Sequence, residues 1–572
     1  MAVLYCARPY TETHQMSHLT LPRVPLVMLL ALAFVLAACG SDAATPSPSE
    51  GGPATSEAPA SSEGEPAPSE DGVPRGGTFV GVVPGDPQAG SRTWSTDGNA
   101  FFAFTPIYSS LVYVDATREA FPDLAESWDI SPDGLTYTFY LHENARFHDG
   151  EPVTSADVAY TIEVASEFQA QAAPILANIE SVETPDEHTI VLTLAEPSAV
   201  FLFGLAHQYM GILPRHLYEG SDPRENPLNE APIGSGPFKF EEWVKGDHIT
   251  LVRNDDYFLD GLPYLDEVIF RVIPDAGSRT IAFQRGDIDF LPGQFVAREQ
   301  ASELESVEGV NVDDSSGPPG QELMFFNTTK APLDSVEVRH AIAMAIDRQA
   351  VVDRAFFGVG AKPSQTHIEA DLGVYHNPNV SLPDYDVAAA NAALDDAGYP
   401  ADADGQRFTL SIAFNPGNDS DRRTAELVRD MLIDVGVDVE VTPYDLAALV
   451  DAVWAEEADF DLAVASVTSN GDPELGKSRH YLSAAIGRSF GNGAKYRNDQ
   501  VDELLIEAAR TTDVDERADL YWQVQEILIE DLPTLPIVDY NNVDFHRPEI
   551  GGYGDTPLGF PYFRIVDVWR SE

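Results

Sequence analysis

The stretch that decides the fold is residues 122–158, PDLAESWDISPDGLTYTFYLHENARFHDGEPVTSADV. Pro132-Asp133-Gly134 is a turn signal, because glycine accepts the positive φ of a tight turn, and a β-rich run follows over residues 135–141. The stretch therefore predicts a hairpin. Thr154 followed by Asp157 is typical of a helix N-cap with an acidic residue at its third position. Strands followed by a helix indicate an α/β protein.

Strands and helices continue to alternate beyond this stretch. The β-rich runs are residues 189–194 and 249–252, and the amphipathic stretches are residues 338–355, 388–397 and 425–435. Gly398 and Gly436 follow the last two, as expected where helices end. This mixture predicts α/β sheets.

His148-Asp149-Gly150 allows two interpretations, a metal or acid–base pair and a turn. No second His or Cys follows at ligand spacing, so we interpret it as a turn. The Asp347-Arg348 pair after an apolar run is interpreted as a helix end.

Composition limits the classes of function. The chain has 572 residues and 44% hydrophobic content, enough for large cores and more than one lobe. Its formal net charge of -59, from 93 acidic and 34 basic residues, argues against nucleic acid and anionic lipid as partners. The acidity could attract a cationic ligand, but the acids are spread along the chain, which favours solubility or salt adaptation.

The N-terminal region predicts an export signal and a lipid anchor. Residues 24–38 are apolar but too short for a comfortable membrane span. They lead into Leu-Ala-Ala-Cys at residues 36–39, which resembles a bacterial lipobox. We therefore expect residues 1–38 to be a lipoprotein signal peptide and Cys39 to carry lipid.

A linker follows the predicted anchor. Residues 41–74 are rich in Ser, Pro, Ala, Gly and Glu and lack aromatic residues, Lys and Arg, so they cannot bury enough apolar surface to order themselves. We interpret residues 39–75 as anchor and disordered linker. Cys6 and Cys39 both precede the globular part, which excludes a disulfide or a cysteine-based site within it.

Several further stretches carry a family resemblance together with residues 122–158. They are IGSGPF at 233–238, RNDDYF at 253–258, GDID at 286–289, FNT at 326–328, VRHAIAMAIDR at 338–348, and residues 386–399 with their Ala-Gly-Tyr end. In this order they resemble family 5 of the ABC-importer solute-binding proteins, the dipeptide, oligopeptide and nickel binders. The resemblance runs from about Gly76 to Trp569.

The resemblance implies an α/β, two-lobed periplasmic-binding-protein fold of type II, with an additional domain and a ligand cleft between the lobes. The implied boundaries are 76–115, 233–317 and 536–572 for lobe I, 116–232 for its additional domain, and 318–535 for lobe II. Crossings near residues 321–323 and 532–536 would act as hinges.

The function that the resemblance implies is capture of a small solute of peptide or oligosaccharide size by cleft closure. The partners would be that solute, the transmembrane subunits of an ABC permease, and the membrane through the lipid anchor, with no nucleic acid. The protein would be a monomer outside the cytoplasm, in the periplasm or on the outer face of the cytoplasmic membrane, with no catalytic residue, cofactor or metal.

Two alternative functions are weighed against this one. Residues 487–491 match the nucleophile-elbow pattern G-x-S-x-G of a hydrolase around Ser489, but Gly491-Asn492-Gly493 opposes the helix that this pattern needs. A metal or metal-chelate binder is the second alternative. Its weakness is that the 13 His are scattered without a clustered pair.

The best candidate for ligand contact is the segment of residues 466–473, with Ser469, Asn470 and Asp472. Trp94 and Asn327 are weaker candidates, and packing or turn formation would explain any of the five as well. In the oligopeptide branch an acidic residue four positions before the segment's proline binds the peptide amine, whereas Ser469 stands there in this sequence. We therefore predict that free-amine peptides are not preferred, unless Asp472 supplies the acid.

Overall fold

The computed structural model describes residues 72–114, 119–552 and 564–571, without the side chains of residues 314–316. The predicted signal peptide, Cys39 and nearly all of the predicted linker lie outside these ranges. Within them, no helix combines the length and the apolar character needed to cross a bilayer.

The strands are numbered in chain order. They are β1 (Thr78–Val83), β2 (Val112–Val114), β3 (Ala120–Pro122), β4 (Ala125–Ile130), β5 (Thr136–Leu141), β6 (Ile179–Asp186), β7 (Thr189–Leu194), β8 (Phe238–Val244), β9 (His248–Arg253), β10 (Glu267–Val272), β11 (Phe290–Leu291), β12 (Asn311–Phe326), β13 (Ala361–Pro363), β14 (Phe408–Phe414), β15 (Val437–Pro443), β16 (Leu462–Thr468), β17 (Thr534–His546), β18 (Ile550–Gly551) and β19 (Trp569–Arg570).

The α-helices are numbered in the same way. They are α1 (Gly98–Phe104), α2 (Ser155–Phe168), α3 (Ala173–Leu176), α4 (Phe201–Gly204), α5 (Arg215–Tyr218), α6 (Ala276–Arg285), α7 (Arg298–Leu304), α8 (Val336–Ala345), α9 (Arg348–Ala355), α10 (Val387–Asp396), α11 (Asp419–Ile433), α12 (Leu446–Trp454), α13 (Pro473–Gly476), α14 (Asp499–Arg510) and α15 (Val514–Asp531).

The first lobe is built on a four-stranded sheet in the order β1-β10-β9-β8, in which β1 and β10 are parallel. Aromatic side chains such as Phe79, Phe238 and Phe270 fill its core. A second four-stranded sheet, β4-β5-β7-β6, is antiparallel and has its own core under α2. This second sheet forms an additional domain.

The second lobe is built on the largest sheet, ordered β11-β17-β12-β16-β14-β15, with β13 on β17. Residues of α8 to α11 pack on one face of this sheet, and residues of α12, α14 and α15 pack on the other. Strands β14, β15 and β16 are mutually parallel, so their carboxyl ends lie at one edge. In α/β sheets ligands bind beyond such an edge.

Two long strands connect the lobes. β12 and β17 pair in antiparallel fashion from Asn311 opposite His546 to Phe325 opposite Thr534, and β11 pairs with the other edge of β17 at its His546 end. The register shifts between Asp313 and Gly320, and again between Glu322 and Leu323. Such bulges bend a ribbon locally. We call β12 and β17 together the crossing ribbon.

The local predictions from the deciding stretch are confirmed. β4 and β5 form the hairpin, with Gly134 at φ 69°. Thr154 and Asp157 form a capping box at the start of α2, in which the Thr154 backbone N–H donates to Asp157 at 2.9 Å. The helix predicted over residues 338–355 is interrupted. α8 ends at Ala345, and Asp347 caps α9 by accepting from the Ala350 N–H at 3.0 Å.

His148 links two of the motifs in the first lobe through its ring and its backbone. It donates from Nε2 to the Gly236 carbonyl at 3.0 Å, and its backbone N–H donates to the Gly234 carbonyl at 2.8 Å. Burial lowers the pKa of His148 to about 4, which keeps its ring neutral. A Cβ on Gly234 would lie 2.1 Å from the Ile107 carbonyl oxygen, so this close approach requires glycine.

Candidate ligand cleft

The segment of residues 466–473 follows β16 at the carboxyl edge of the largest sheet. Asn470 and Gly471 turn the chain there with φ of 51° and 83°. Asp472 then caps α13 by accepting from the Glu474 N–H at 2.8 Å. A Cβ on Gly476 would lie 2.2 Å from the Thr468 carbonyl oxygen, so α13 can return this closely only through a glycine. The segment is therefore a tight, well-fixed turn.

Ser469 and Asp472 are committed to contacts inside the second lobe. Ser469 is fully buried and donates to the Pro319 carbonyl from its backbone N–H at 3.0 Å and from its hydroxyl at 2.9 Å. The buried Asp472 accepts two hydrogen bonds from Arg517 of α15, at 2.6 and 2.7 Å. For Asp472 to bind a ligand's ammonium, Arg517 would have to be released.

The other three predicted contacts lie in different surroundings. Asn470 lines a cavity described below. Trp94 is 5% exposed and packs against Tyr218, with ring centroids 5.5 Å apart. Asn327 is buried, donates to the Phe460 carbonyl at 2.9 Å and accepts from the Thr329 hydroxyl at 2.7 Å. All five residues remain predicted ligand contacts.

Two cavities flank the segment. The first has a volume of about 500 Å³ and is lined by residues from both lobes and by the crossing ribbon. Its polar lining includes Arg298 and Glu299 from α7, Asn418 and Arg423 at the start of α11, and Ser466 from the segment.

The second cavity has a volume of about 460 Å³ and lies between the additional domain and the second lobe. Gln171, Asn178 and Tyr209 line it from the additional domain, and Asn470, Glu474, Arg479, Arg488 and Ser489 from the second lobe. Both volumes fall in the range usual for small-molecule sites.

A cluster of buried carboxyl groups lies behind the wall of the first cavity. The Ser466 hydroxyl is 2.6 Å from Glu322 and 2.9 Å from Asp421, and it accepts from the Asn418 amide at 3.3 Å. A hydroxyl has one proton to donate, so the second carboxyl must supply its own. Burial raises the pKa of both carboxyls, and the Glu322 charge raises that of Asp421 further.

Contacts join the two sides of the cleft beside each cavity. At the first cavity, Arg423 forms an ion pair with Glu299 at 2.6 Å. Near the second, Arg510 forms an ion pair with Glu196 at 2.6 Å, and the Ala199 N–H donates to the Ala509 carbonyl at 3.1 Å. The lobes therefore touch across the site.

Comparison with protein families identifies this architecture. The family described as "Bacterial extracellular solute-binding proteins, family 5 Middle" matches residues 119–487, well over half of the chain. The chain belongs to this family. The expected family and the expected two-lobed fold are thereby confirmed.

The curated relatives of this family 5 solute-binding protein cover most of its length. Heme-binding protein A of Haemophilus influenzae is 28% identical over 521 residues, which cover 86% of this chain and 92% of the relative. Oligopeptide-binding protein AppA of Bacillus subtilis is 28% identical over 517 residues, covering 87% and 91%. The dipeptide-binding protein of Escherichia coli is 26% identical over 525 residues, covering 86% and 94%.

Solved structures agree with these relatives. The ABC transporter substrate-binding protein CtaP of Listeria monocytogenes superposes with a TM-score of 0.75 and 27% identity, over 87% of this chain and all of that one. The periplasmic binding protein DppA of Helicobacter pylori, in complex with the peptide STSA, superposes with a TM-score of 0.70 and 27% identity, over 87% and 99%.

The hydrolase alternative finds no support in this solute-binding protein, whose relatives are named as binding proteins. Ser489 lies in a loop after a short 3-10 turn at Ser483–Ala485, so the strand–turn–helix of a nucleophile elbow is not formed around it. Among the residues with described positions, no three His, Cys, Asp or Glu side chains are grouped as a metal site requires.

The charged residues of the two cavities were not predicted from the sequence of the solute-binding protein. Arg298, Arg423, Glu474 and Arg479 reach the cleft from α7, α11, α13 and the turn after α13. In a chain with 127 charged residues such positions carry no distinguishing pattern. Only the position of Glu474 and Arg479 just after the predicted segment could have indicated them.

Proposed function

We propose that the protein captures a solute of short-peptide size between its two lobes and delivers it to the transmembrane subunits of an ABC importer. The observation that carries this proposal is the pair of cavities on either side of the 466–473 turn, bounded by contacts between the lobes. Relatives named for oligopeptides and dipeptides support the size of the solute.

Closure of the lobes is the proposed mechanism. The implied boundaries assign residues 76–115, 233–317 and 536–572 to lobe I, 116–232 to the additional domain and 318–535 to lobe II. A solute that contacts both sides binds the closed form more tightly and shifts the equilibrium toward it. The permease would recognise the closed form.

The class of function is tested by ligand-dependent stability. A bound solute should raise the free energy of unfolding by about 2.7 kcal/mol at one hundred times its Kd, and no solute should be turned over. We would measure thermal unfolding against panels of di- to tetrapeptides and of neutral di- and trisaccharides. A hydrolase activity that Ser489→Ala abolishes, while the melting temperature is unchanged, would refute the binding function.

We propose further that a lipid on Cys39 tethers the protein to the membrane. The lipobox-like residues 36–39 and the Pro- and Ser-rich linker support this arrangement, and it suits a protein that must meet a membrane permease. In cells, Cys39→Ser should release the protein from the membrane fraction or leave the precursor uncleaved, whereas Cys6→Ser should change neither. A membrane-extracted protein whose intact mass shows a mature start other than Cys39 would contradict the proposal.

A further inference from the structure

The two cavities of the cleft lie on opposite faces of the largest sheet. The second lobe lines the first cavity with Asn418 and Arg423 at the start of α11, a helix that packs on one face. It lines the second cavity with Ala509 of α14, a helix that packs on the other face. Strand β12 shows the same division, because Met324 belongs to the core under α11 and its neighbour Leu323 to the core under α14. The sheet therefore separates the two cavities.

The first lobe reaches the second lobe on both of these faces. Arg298 and Glu299 of α7 line the first cavity, and Gln171 of the additional domain lines the second. The hydrogen bond from His148 to the Gly236 carbonyl ties the additional domain to the rest of the first lobe, so both walls move together. The crossing ribbon belongs to the largest sheet and joins the lobes. A rotation about it that separates the walls of one cavity therefore brings the walls of the other together.

The two cavities differ in how closely their walls approach in this structure. The walls near the second cavity touch through their backbones, since the Ala199 N–H donates to the Ala509 carbonyl at 3.1 Å. The walls of the first cavity leave a space of about 500 Å³, beside which the long side chains of Arg423 and Glu299 meet at 2.6 Å. The lobes are therefore closed on the face of the second cavity and have room to move on the face of the first.

We propose that the first cavity is the clearance into which the first lobe moves when the second cavity opens to admit a solute. Opening would press α7 toward α11 and consume this space, and a packed interior would resist further movement. The proposal rests on the proposed function and assigns the solute to the second cavity, which the predicted ligand contact Asn470 lines. A side chain that fills the first cavity should obstruct opening and favour the closed form.

Two substitutions fill the first cavity from opposite walls. Ala297 precedes α7 in the first lobe, Ser420 lies in the first turn of α11 in the second lobe, and both line the cavity. In Ala297→Trp and in Ser420→Trp, a larger share of the ligand-free protein should be closed. If the closed form is populated at roughly 1–10% in the wild type, either variant should tighten solute binding by about 10-fold and slow solute release. Ser302→Trp, at an exposed position of α7 that does not line the cavity, is the matched control.

The first measurement needs no solute. Spin labels on Glu180→Cys and Thr512→Cys, two exposed positions within three residues of the cavity-lining Asn178 and Ala509, report the distance between the additional domain and the second lobe. The full chain is purified in detergent with both native cysteines replaced by serine, so that only these two positions are labelled. Both filling variants should lose the longer distances that the wild type samples, and the control should keep them. Unchanged or longer distances in both filling variants, at the melting temperature of the wild type, would overturn the inference.

A second measurement distinguishes failure of this inference from failure of the proposed function. The panel of di- to tetrapeptides and neutral saccharides is screened by native mass spectrometry, and the affinity and release rate of the tightest binder are compared among the variants. Tighter binding and slower release in both filling variants, with wild-type values in the control, would support both. Weaker binding in both filling variants would place the solute in the first cavity and refute the inference, while the proposed function stands. If the distances shorten but no solute of the panel binds, the clearance is supported and the proposed function fails.

Discussion

Replacing Arg517 by Met should destabilise the protein by about 3–5 kcal/mol, because Asp472 would be left as a buried charge without a partner. Both residues of this ion pair are at most 4% exposed at their side chains. Arg517 also packs against Tyr375 and Tyr521, with its guanidinium carbon 5.1 and 5.3 Å from the ring centroids. Urea unfolding followed by tryptophan fluorescence would measure the loss.

Two variants serve as controls for this prediction. Arg510→Met removes an exposed ion pair with Glu196 and should cost less than about 1 kcal/mol. Asp472→Asn combined with Arg517→Met should recover part of the loss, since asparagine is neutral and still caps α13. Equal costs for the Arg517 and Arg510 variants would show that the buried pair does not hold the turn in place.

Raising the pH should weaken the folded state through Glu322 and Asp421. Burial raises the pKa of both carboxyls, so the folded state keeps protons that the unfolded state loses. The stabilisation is therefore complete below the ordinary carboxyl pKa and is lost as the pH rises through the raised values. For this buried pair, we expect the free energy of unfolding to fall by on the order of 3 kcal/mol between pH 5 and pH 9.

Glu322→Gln isolates this effect from the other titrating groups. Glutamine keeps the shape and can hydrogen-bond Asp421 or Ser466 without charge, so the variant should gain stability over the wild type as the pH increases. The side chain of Glu440 on β15 is exposed. The stability of Glu440→Gln should therefore change with pH in the same way as that of the wild type. Thermal unfolding at several pH values gives the comparison. If the difference in melting temperature between the wild type and Glu322→Gln stays constant from pH 5 to pH 9, Glu322 and Asp421 do not share a buried proton.

Local signals predicted much of the fold because they act within a few residues. Turn and capping patterns fixed the β4–β5 hairpin and the start of α2, and apolar periodicity with a following glycine located α10 and α11. The apolar pattern did not predict that a second helix, α9, begins after α8 ends. Asp347 was interpreted as a helix end, while its side chain also caps the next helix.

The ligand cleft was harder to predict because it is assembled from distant parts of the chain. The sequence indicated residues 466–473 as the candidate contact segment, but not that Ser469 would bind Pro319 or that Asp472 would pair with Arg517, 45 residues away. Nor could it show which arginines lack partners. Tertiary packing decides whether a carboxylate lies near Arg479, and no residue spacing along the chain predicts it.

The strand connections also constrain how the protein can be made. β1 pairs with β10, but Arg570 near the other end of the chain binds Asp289 at 2.7 Å and the Thr78 carbonyl at 3.2 Å. The largest sheet likewise cannot be completed without β17, which pairs with both β11 and β12. Domains fold as units as the chain emerges. β1 can pair as soon as β10 has emerged, but neither lobe can be completed before residues 534–570, which contain β17 and Arg570, have been delivered.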